Sequence, residues 1–139
     1  MNKRIKDKIN DIIIYLEQLS KIKPDSFKEY KNDFKVKAAC ERYFEKIAEA
    51  VVDLANLTIR EEGFQPPEGD YESFDILEKE NIIDFDLSGK LKNMKGMRNI
   101  LANQYGEVDD KIVYSSIDRE IYPDIKEFLG IISKIADKT

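Results

Sequence analysis

The segment from Asp33 to Gly63 places the strongest limit on what this chain can fold into. Its sequence, "DFKVKAACERYFEKIAEAVVDLANLTIREEG", contains no proline and reaches its first glycine only at the end. Apolar side chains recur along it at spacings of three and four: Val36, Ala39, Cys40, Tyr43, Phe44, Ile47, Val51, Leu54 and Leu57. This spacing predicts one long helix ending at Gly63. Its apolar face is wide enough to contact both an internal core and a second subunit.

The rest of the chain shows the same helical spacing between a few clear breaks. There are only four prolines and six glycines in 139 residues, which favours long helices over strands and turns. We expect a first helix that ends at Pro24, then the connection "PDSFKEY", and after the long helix the loop "FQPPEGD". A short helix follows in "YESFDILEKENII", a longer one in "FDLSGKLKNMKGMRNILANQYG", and a last helix that is kinked or broken near Pro123. The pattern predicts an all-α antiparallel bundle of four or five helices, forming a single domain over residues 1–139.

Composition excludes several classes of function. The net charge of -5 argues against a protein that simply coats nucleic acid. No signal peptide and no apolar run long enough to cross a bilayer is present, so we expect a cytoplasmic protein with no membrane partner. One cysteine and no histidine leave no intrachain disulfide and no Cys/His metal site. We expect neither a metal nor a cofactor, and we interpret Cys40, on the apolar face, as a buried structural thiol.

A cluster of polar residues lies near the end of the fourth predicted helix, in "GMRNILANQYGEVD". With about 100° of rotation per helical residue, Arg98 and Tyr105 lie on nearly the same side. Asn99 and Asn103 form a pair four residues apart on the adjacent face, within reach of the Arg98 side chain. From the residues alone, such a cluster is more often a set of capping and solvent contacts than a functional site. Two copies facing each other across a dimer axis would form a groove with two guanidinium groups.

The sequence "RNILANQYGEVDDKIVY" resembles the signature of the HEPN superfamily and, within it, of HepT-like toxins. That signature has an arginine, then a histidine five residues later, and a tyrosine two residues after the histidine. The likeness extends to the long second segment and the short helix after it, and covers roughly residues 1–136. The matching residues are Arg98, Asn99, Tyr105, Gly106, Glu107, Asp109 and Tyr114.

The resemblance implies a homodimeric helical bundle that acts as a metal-independent endoribonuclease toxin. The ribose 2′-hydroxyl would attack the adjacent phosphate and leave a 2′,3′-cyclic phosphate end. Arg98, with Asn99 beside it, would stabilise the phosphorane charge, and the histidine would transfer protons. The implied partners are an RNA substrate and a small MntA-like nucleotidyltransferase antitoxin, which adds AMP to the tyrosine of the signature, here Tyr105.

The sequence departs from the signature at the histidine itself, where it has Asn103. An amide can position a phosphate but does not titrate near neutral pH, so we expect little or no ribonuclease activity. The expected loss is on the order of 10²–10⁴-fold, the contribution of general acid–base groups. Two histories are consistent with Asn103: an introduced substitution, or a natural loss of catalysis with the dimer and partner surfaces retained. The alternatives to an enzyme are a module that binds a nucleotidyltransferase or a nucleotide, and a helical scaffold that resembles the family only in architecture.

Overall fold

The computed structural model describes residues 2–69, 72–103 and 109–137 of the chain, and every regular element in these ranges is helical. A π-helical turn at Ser116–Glu120 joins the last two helices into one continuous rod. The prediction of an all-α protein is therefore confirmed. The helices are α1 (Lys3–Ile22), α2 (Phe27–Asn32), α3 (Phe34–Glu61), α4 (Glu72–Lys79), α5 (Phe85–Asn103), α6 (Asp110–Ser115) and α7 (Ile121–Asp137).

Four long rods form the bundle, and neighbouring rods run in opposite directions. Helix α1 packs against α3, α3 against α5, α5 against α7, and α7 returns to α1. The start of α1 meets the end of α3, where the Asn2 side chain donates a 2.8 Å hydrogen bond to Glu61. At the opposite end of the bundle Lys23, just after α1, pairs with Asp118 at 2.6 Å. With the short helix α4 added, this is the predicted antiparallel bundle of four or five helices.

Helix boundaries follow the local signals in the sequence. Helix α1 ends at Ile22, two residues before Pro24. The Asp33 side chain accepts hydrogen bonds from the first backbone N–H groups of α3, which otherwise lack partners. At the other end of α3, Gly63 has a φ of 73°, a left-handed conformation that glycine adopts without steric cost. The Phe64 N–H group then bonds back to the Ile59 carbonyl at 3.0 Å and closes the helix.

Two local features differ from a simple reading of the sequence. The segment "PDSFKEY", interpreted as a short connection that opens the next element, ends inside the short helix α2. The first turn of α2 is capped by the Ser26 hydroxyl, which accepts from the Glu29 N–H group at 3.2 Å. The predicted irregularity near Pro123 takes the form of the π-helical turn at Ser116–Glu120. Proline has no N–H group, and its ring would clash with the carbonyl four residues earlier, so a widened turn at this point relieves the strain.

The core lies between the four rods, and α3 contributes more buried side chains to it than any other described helix. The predicted apolar face of α3 is buried at Cys40, Phe44, Ile47, Val51 and Leu54, and partly buried at Val36, Ala39, Tyr43 and Leu57. Helices α4 and α7 meet through an edge-to-face contact between Phe74 and Phe128, with ring centroids 6.4 Å apart. Within the described ranges, no helix is long and apolar enough to span a membrane.

Candidate functional site

Arg98 lies on the final turns of α5 and reaches across the bundle surface to α3. Its Nη2 atom forms an ion pair with Glu49 Oε1. The Arg98 side chain is 23% exposed and that of Glu49 is 42% exposed, so the pair lies at the surface with its arginine side largely covered. Sequence reasoning missed Glu49, because the two residues are 49 positions apart and belong to different helices.

The two asparagines predicted to accompany Arg98 complete a connected cluster. Arg98 Nη1 donates to the Asn99 side-chain oxygen at 3.3 Å. Asn103 Nδ2 donates to the Asn99 backbone carbonyl at 2.9 Å. The structure thus brings Arg98, Asn99 and Asn103 together, with Asn99 between the other two, and adds Glu49 from α3.

This cluster presents a guanidinium group, paired with the Glu49 carboxylate, beside an exposed amide. Arg98 Nε is buried and has no hydrogen-bond acceptor among the described residues, so contacts with an external ligand must use the Nη groups. Asn103, at the end of α5, is exposed. A guanidinium group with donors in a planar fork binds phosphate oxygens well. The amide can donate to or accept from such a ligand but does not titrate near neutral pH, so it cannot act as a general acid or base.

The remaining predicted site residue, Tyr105, lies outside the described residues, as do Gly106 and Glu107. The role of Tyr105 as an AMP acceptor stays a prediction.

Two other residues of the signature have structural roles. The Asp109 side chain caps α6 by accepting from the Lys111 and Ile112 N–H groups at 3.0 and 3.3 Å. The Tyr114 hydroxyl donates to the Pro24 carbonyl at 2.8 Å, and its ring packs at 5.2 Å from the ring of Tyr30. Tyr114 therefore fixes the start of the last rod against the connection between α1 and α2.

The structure confirms that Cys40 is a buried structural thiol. Its side chain is fully buried in the core, and burial raises the pKa of the thiol to about 11. Such a thiol is almost entirely protonated at neutral pH and is a poor nucleophile. Within the described ranges, no group of three or more His, Cys, Asp or Glu side chains is placed to hold a metal ion.

Comparison with known proteins identifies the family. The family model described as "Ribonuclease HepT-like" matches residues 12–132. The chain belongs to this family. It is 29% identical over 132 residues to a protein of Shewanella oneidensis named mRNA nuclease HepT, covering 95% of this chain and 98% of the relative. The resemblance inferred from the Arg98–Tyr114 segment is therefore confirmed.

Solved structures agree with this assignment. The chain superposes with a TM-score of 0.90 on a tri-AMPylated HEPN toxin of Shewanella oneidensis in complex with its MNT antitoxin, at 28% identity over 96% of this chain and 99% of that one. It superposes with a TM-score of 0.87 on the corresponding chain of a toxin–antitoxin crystal structure with AMP-PNP, at 27% identity over 95% and 99% of the two chains.

Proposed function

We propose that this chain is the toxin subunit of a HepT-like toxin–antitoxin pair, built as one domain over residues 1–139, and that its scaffold is that of an endoribonuclease. Family membership supports this, as do relatives named as an mRNA nuclease and as a HEPN toxin bound to an antitoxin. The observation that carries the proposal is the Arg98 cluster. It presents an anchored guanidinium group at the end of α5, where the family signature lies.

The chemistry we assign to the scaffold is transfer of an RNA phosphate from one ribose oxygen to another. The 2′-oxygen forms a bond to the adjacent phosphorus, the bond to the 5′-oxygen of the next nucleotide breaks, and a 2′,3′-cyclic phosphate remains. The 2′-hydroxyl must lose a proton, and the leaving oxygen must gain one. Arg98 stabilises the additional negative charge on the phosphorus-bound oxygens, and no metal ion is required.

Asn103 supplies no group for either proton transfer. We therefore propose that the chain as it stands cleaves RNA poorly or not at all, and that it retains the surfaces that bind RNA and the antitoxin.

We also propose that the functional unit is a homodimer. One Arg98 cluster is small and lies on an open surface, whereas two clusters facing each other would enclose a phosphate from both sides. The mass in solution, measured by light scattering at micromolar concentration, should be twice the chain mass of 16.2 kDa. A strict monomer would remove the shared cleft.

The proposed protein partner is an MNT-type nucleotidyltransferase antitoxin that transfers AMP to Tyr105. The tri-AMPylated state of the Shewanella oneidensis toxin supports this assignment. With the cognate nucleotidyltransferase and ATP, the intact mass should rise by one or more AMP units. A Tyr105→Phe protein should not be labelled, and equal labelling would refute Tyr105 as the acceptor.

The main test compares RNA cleavage by this chain with cleavage by Asn103→His, at equal concentration and in the presence of EDTA. An Asn103→His, Arg98→Ala double variant serves as the control for a contaminating ribonuclease. The proposal predicts that only Asn103→His cuts and that its products carry cyclic phosphate ends. If neither protein cuts, the second candidate function, a non-enzymatic module that binds a nucleotidyltransferase or a nucleotide, is favoured. Asn103 is the observation that supports this candidate.

A further inference from the structure

The Arg98 guanidinium is held by protein groups on both of its outer nitrogens. On one side Nη2 pairs with the Glu49 carboxylate of α3, and on the other Nη1 donates to the Asn99 side chain of α5. The inner nitrogen, Nε, is buried and has no acceptor among the described residues. The plane of the guanidinium is therefore set by two contacts from two different helices.

Glu49 is distinct from the carboxylates one turn before and one turn after it on α3. Glu45 pairs with Arg42 at 3.3 Å on the same helix, and Asp53 pairs with Lys8 of α1 at 3.5 Å. Of these three carboxylates, it is Glu49 that reaches α5 and contacts the arginine of the family signature. The contact is specific to that position and is not a general property of an acidic helix face.

A fixed arginine is useful for a reaction in which charge develops on phosphate oxygens. Arginine has a long, flexible side chain, and holding it in advance removes the cost of orienting it during the reaction. The negative charge of Glu49 also lowers the net positive charge that an approaching RNA meets. A carboxylate in this position should therefore do little for RNA affinity and contribute mainly to the rate of the chemical step.

We infer that Glu49 is a positioning residue for Arg98: its carboxylate holds the guanidinium in the orientation in which the remaining Nη hydrogens face an RNA phosphate. This inference rests on the proposed ribonuclease function. Glu49 acts only through Arg98 and does not contact the substrate.

The kinetic test uses the Asn103→His protein as the active background. In it, Glu49→Ala should lower kcat by about 10–100-fold, the effect of misplacing a reacting group by roughly 1 Å. We expect KM to change by less than about threefold, because the affected interaction is made mainly in the transition state. Glu49→Gln should recover part of the rate, since its amide oxygen can still accept from Nη2. Glu45→Ala is the matched control and should keep the parent kcat.

An unchanged kcat in Glu49→Ala would overturn the inference. If KM of that variant falls while kcat stays the same, the carboxylate of Glu49 only repels RNA and does not position Arg98. An equal fall in kcat in Glu45→Ala would also overturn the inference, because the effect would then be a general one of the helix face. Thermal unfolding of each variant separates these outcomes from a loss of folded protein.

A second measurement, of guanidinium rotation by NMR, does not depend on RNA cleavage. It therefore tests the role of Glu49 even if Asn103→His does not cleave RNA and the proposed function fails. The chain has five arginines, and NMR signals of their guanidinium nitrogens can be assigned to Arg98 by comparison with Arg98→Lys. In the unaltered chain, rotation about the Arg98 Nε–Cζ bond should be slow, and it should become fast in Glu49→Ala but not in Glu45→Ala. Equally slow rotation without Glu49 would show that the carboxylate does not hold Arg98.

Discussion

Tyr114 belongs to the family signature, yet its contacts assign it to stability and not to chemistry. Its hydroxyl donates to the Pro24 carbonyl at 2.8 Å, and its ring packs against Phe27 and Tyr30 with centroid distances of 6.0 and 5.2 Å. The residue is 7% exposed. Tyr114→Phe removes only the hydroxyl and keeps the ring contacts, so it isolates the hydrogen bond between the last rod and the connection between α1 and α2.

The expected cost follows from that single bond. A neutral intramolecular hydrogen bond contributes about 0.5–1.5 kcal/mol to the free energy of unfolding. For a domain of this size, such a loss lowers Tm by roughly 2–6 °C. Tyr114→Ala also removes the buried ring and should cost about 3–5 kcal/mol, a large part of the 5–15 kcal/mol that stabilises a typical domain.

Urea denaturation followed by circular dichroism measures both changes. Tyr122→Phe is the matched control, because Tyr122 is 46% exposed and its ring lies beside the Lys126 side chain, with Nζ 4.9 Å from the ring centroid. That variant should stay within about 0.5 kcal/mol of the parent. In the Asn103→His background, Tyr114→Phe should leave the rate of RNA cleavage unchanged. A parent-like unfolding midpoint, or a large loss of cleavage by a fully folded Tyr114→Phe protein, would refute this assignment.

Three further predictions concern stability and reactivity. Gly130 lies exposed within α7, and a Cβ there would meet no atom within 4 Å. Gly130→Ala should therefore raise the free energy of unfolding by up to about 1 kcal/mol, and a lower Tm would contradict this. Cys40 is buried, and burial raises the pKa of its thiol to about 11. Iodoacetamide at pH 7.5 should therefore label Cys40 only after unfolding in urea, and rapid labelling of the folded protein would contradict its burial. Burial raises the pKa of Glu41, although Lys37 opposes the shift, so the folded state binds this proton more tightly than the unfolded state. The contribution of Glu41 therefore favours folding below its ordinary pKa of 4.5 and is lost as the pH rises through the higher folded pKa. Glu41→Gln should accordingly be more stable than the parent at pH 7 and close to it at pH 4, as measured by urea midpoints, and the opposite order would contradict the sign.

Much of the fold could be predicted because its determinants are local. The end of α1 before Pro24 and the end of α3 at Gly63 each follow from one residue whose backbone chemistry stops a helix. The apolar face of α3 follows from the spacing of its side chains, which burial confirms. Helix α2 was missed although Ser26 and Glu29 carry a recognisable capping pattern, because a helix of six residues has too few apolar positions to show a period.

Only the residues of the site that share helix α5 could be predicted from the sequence. Arg98, Asn99 and Asn103 share one helix, so their spacing indicated that they lie together. The pairing of Glu49 with Arg98 depends on how α3 packs against α5, and nothing in the sequence near either residue specifies it. Likewise, the signature marked Asp109 and Tyr114, but only the structure shows that one caps a helix and the other holds a connection.

The central claim is that this chain carries a ribonuclease scaffold silenced at Asn103. The most direct measurement is the ratio of the single-turnover cleavage rate of Asn103→His to that of the unaltered chain, on one RNA and with EDTA present. We expect a ratio on the order of 10²–10⁴, the usual contribution of a general acid–base group. A ratio near one, or no detectable cleavage by either protein, would contradict it.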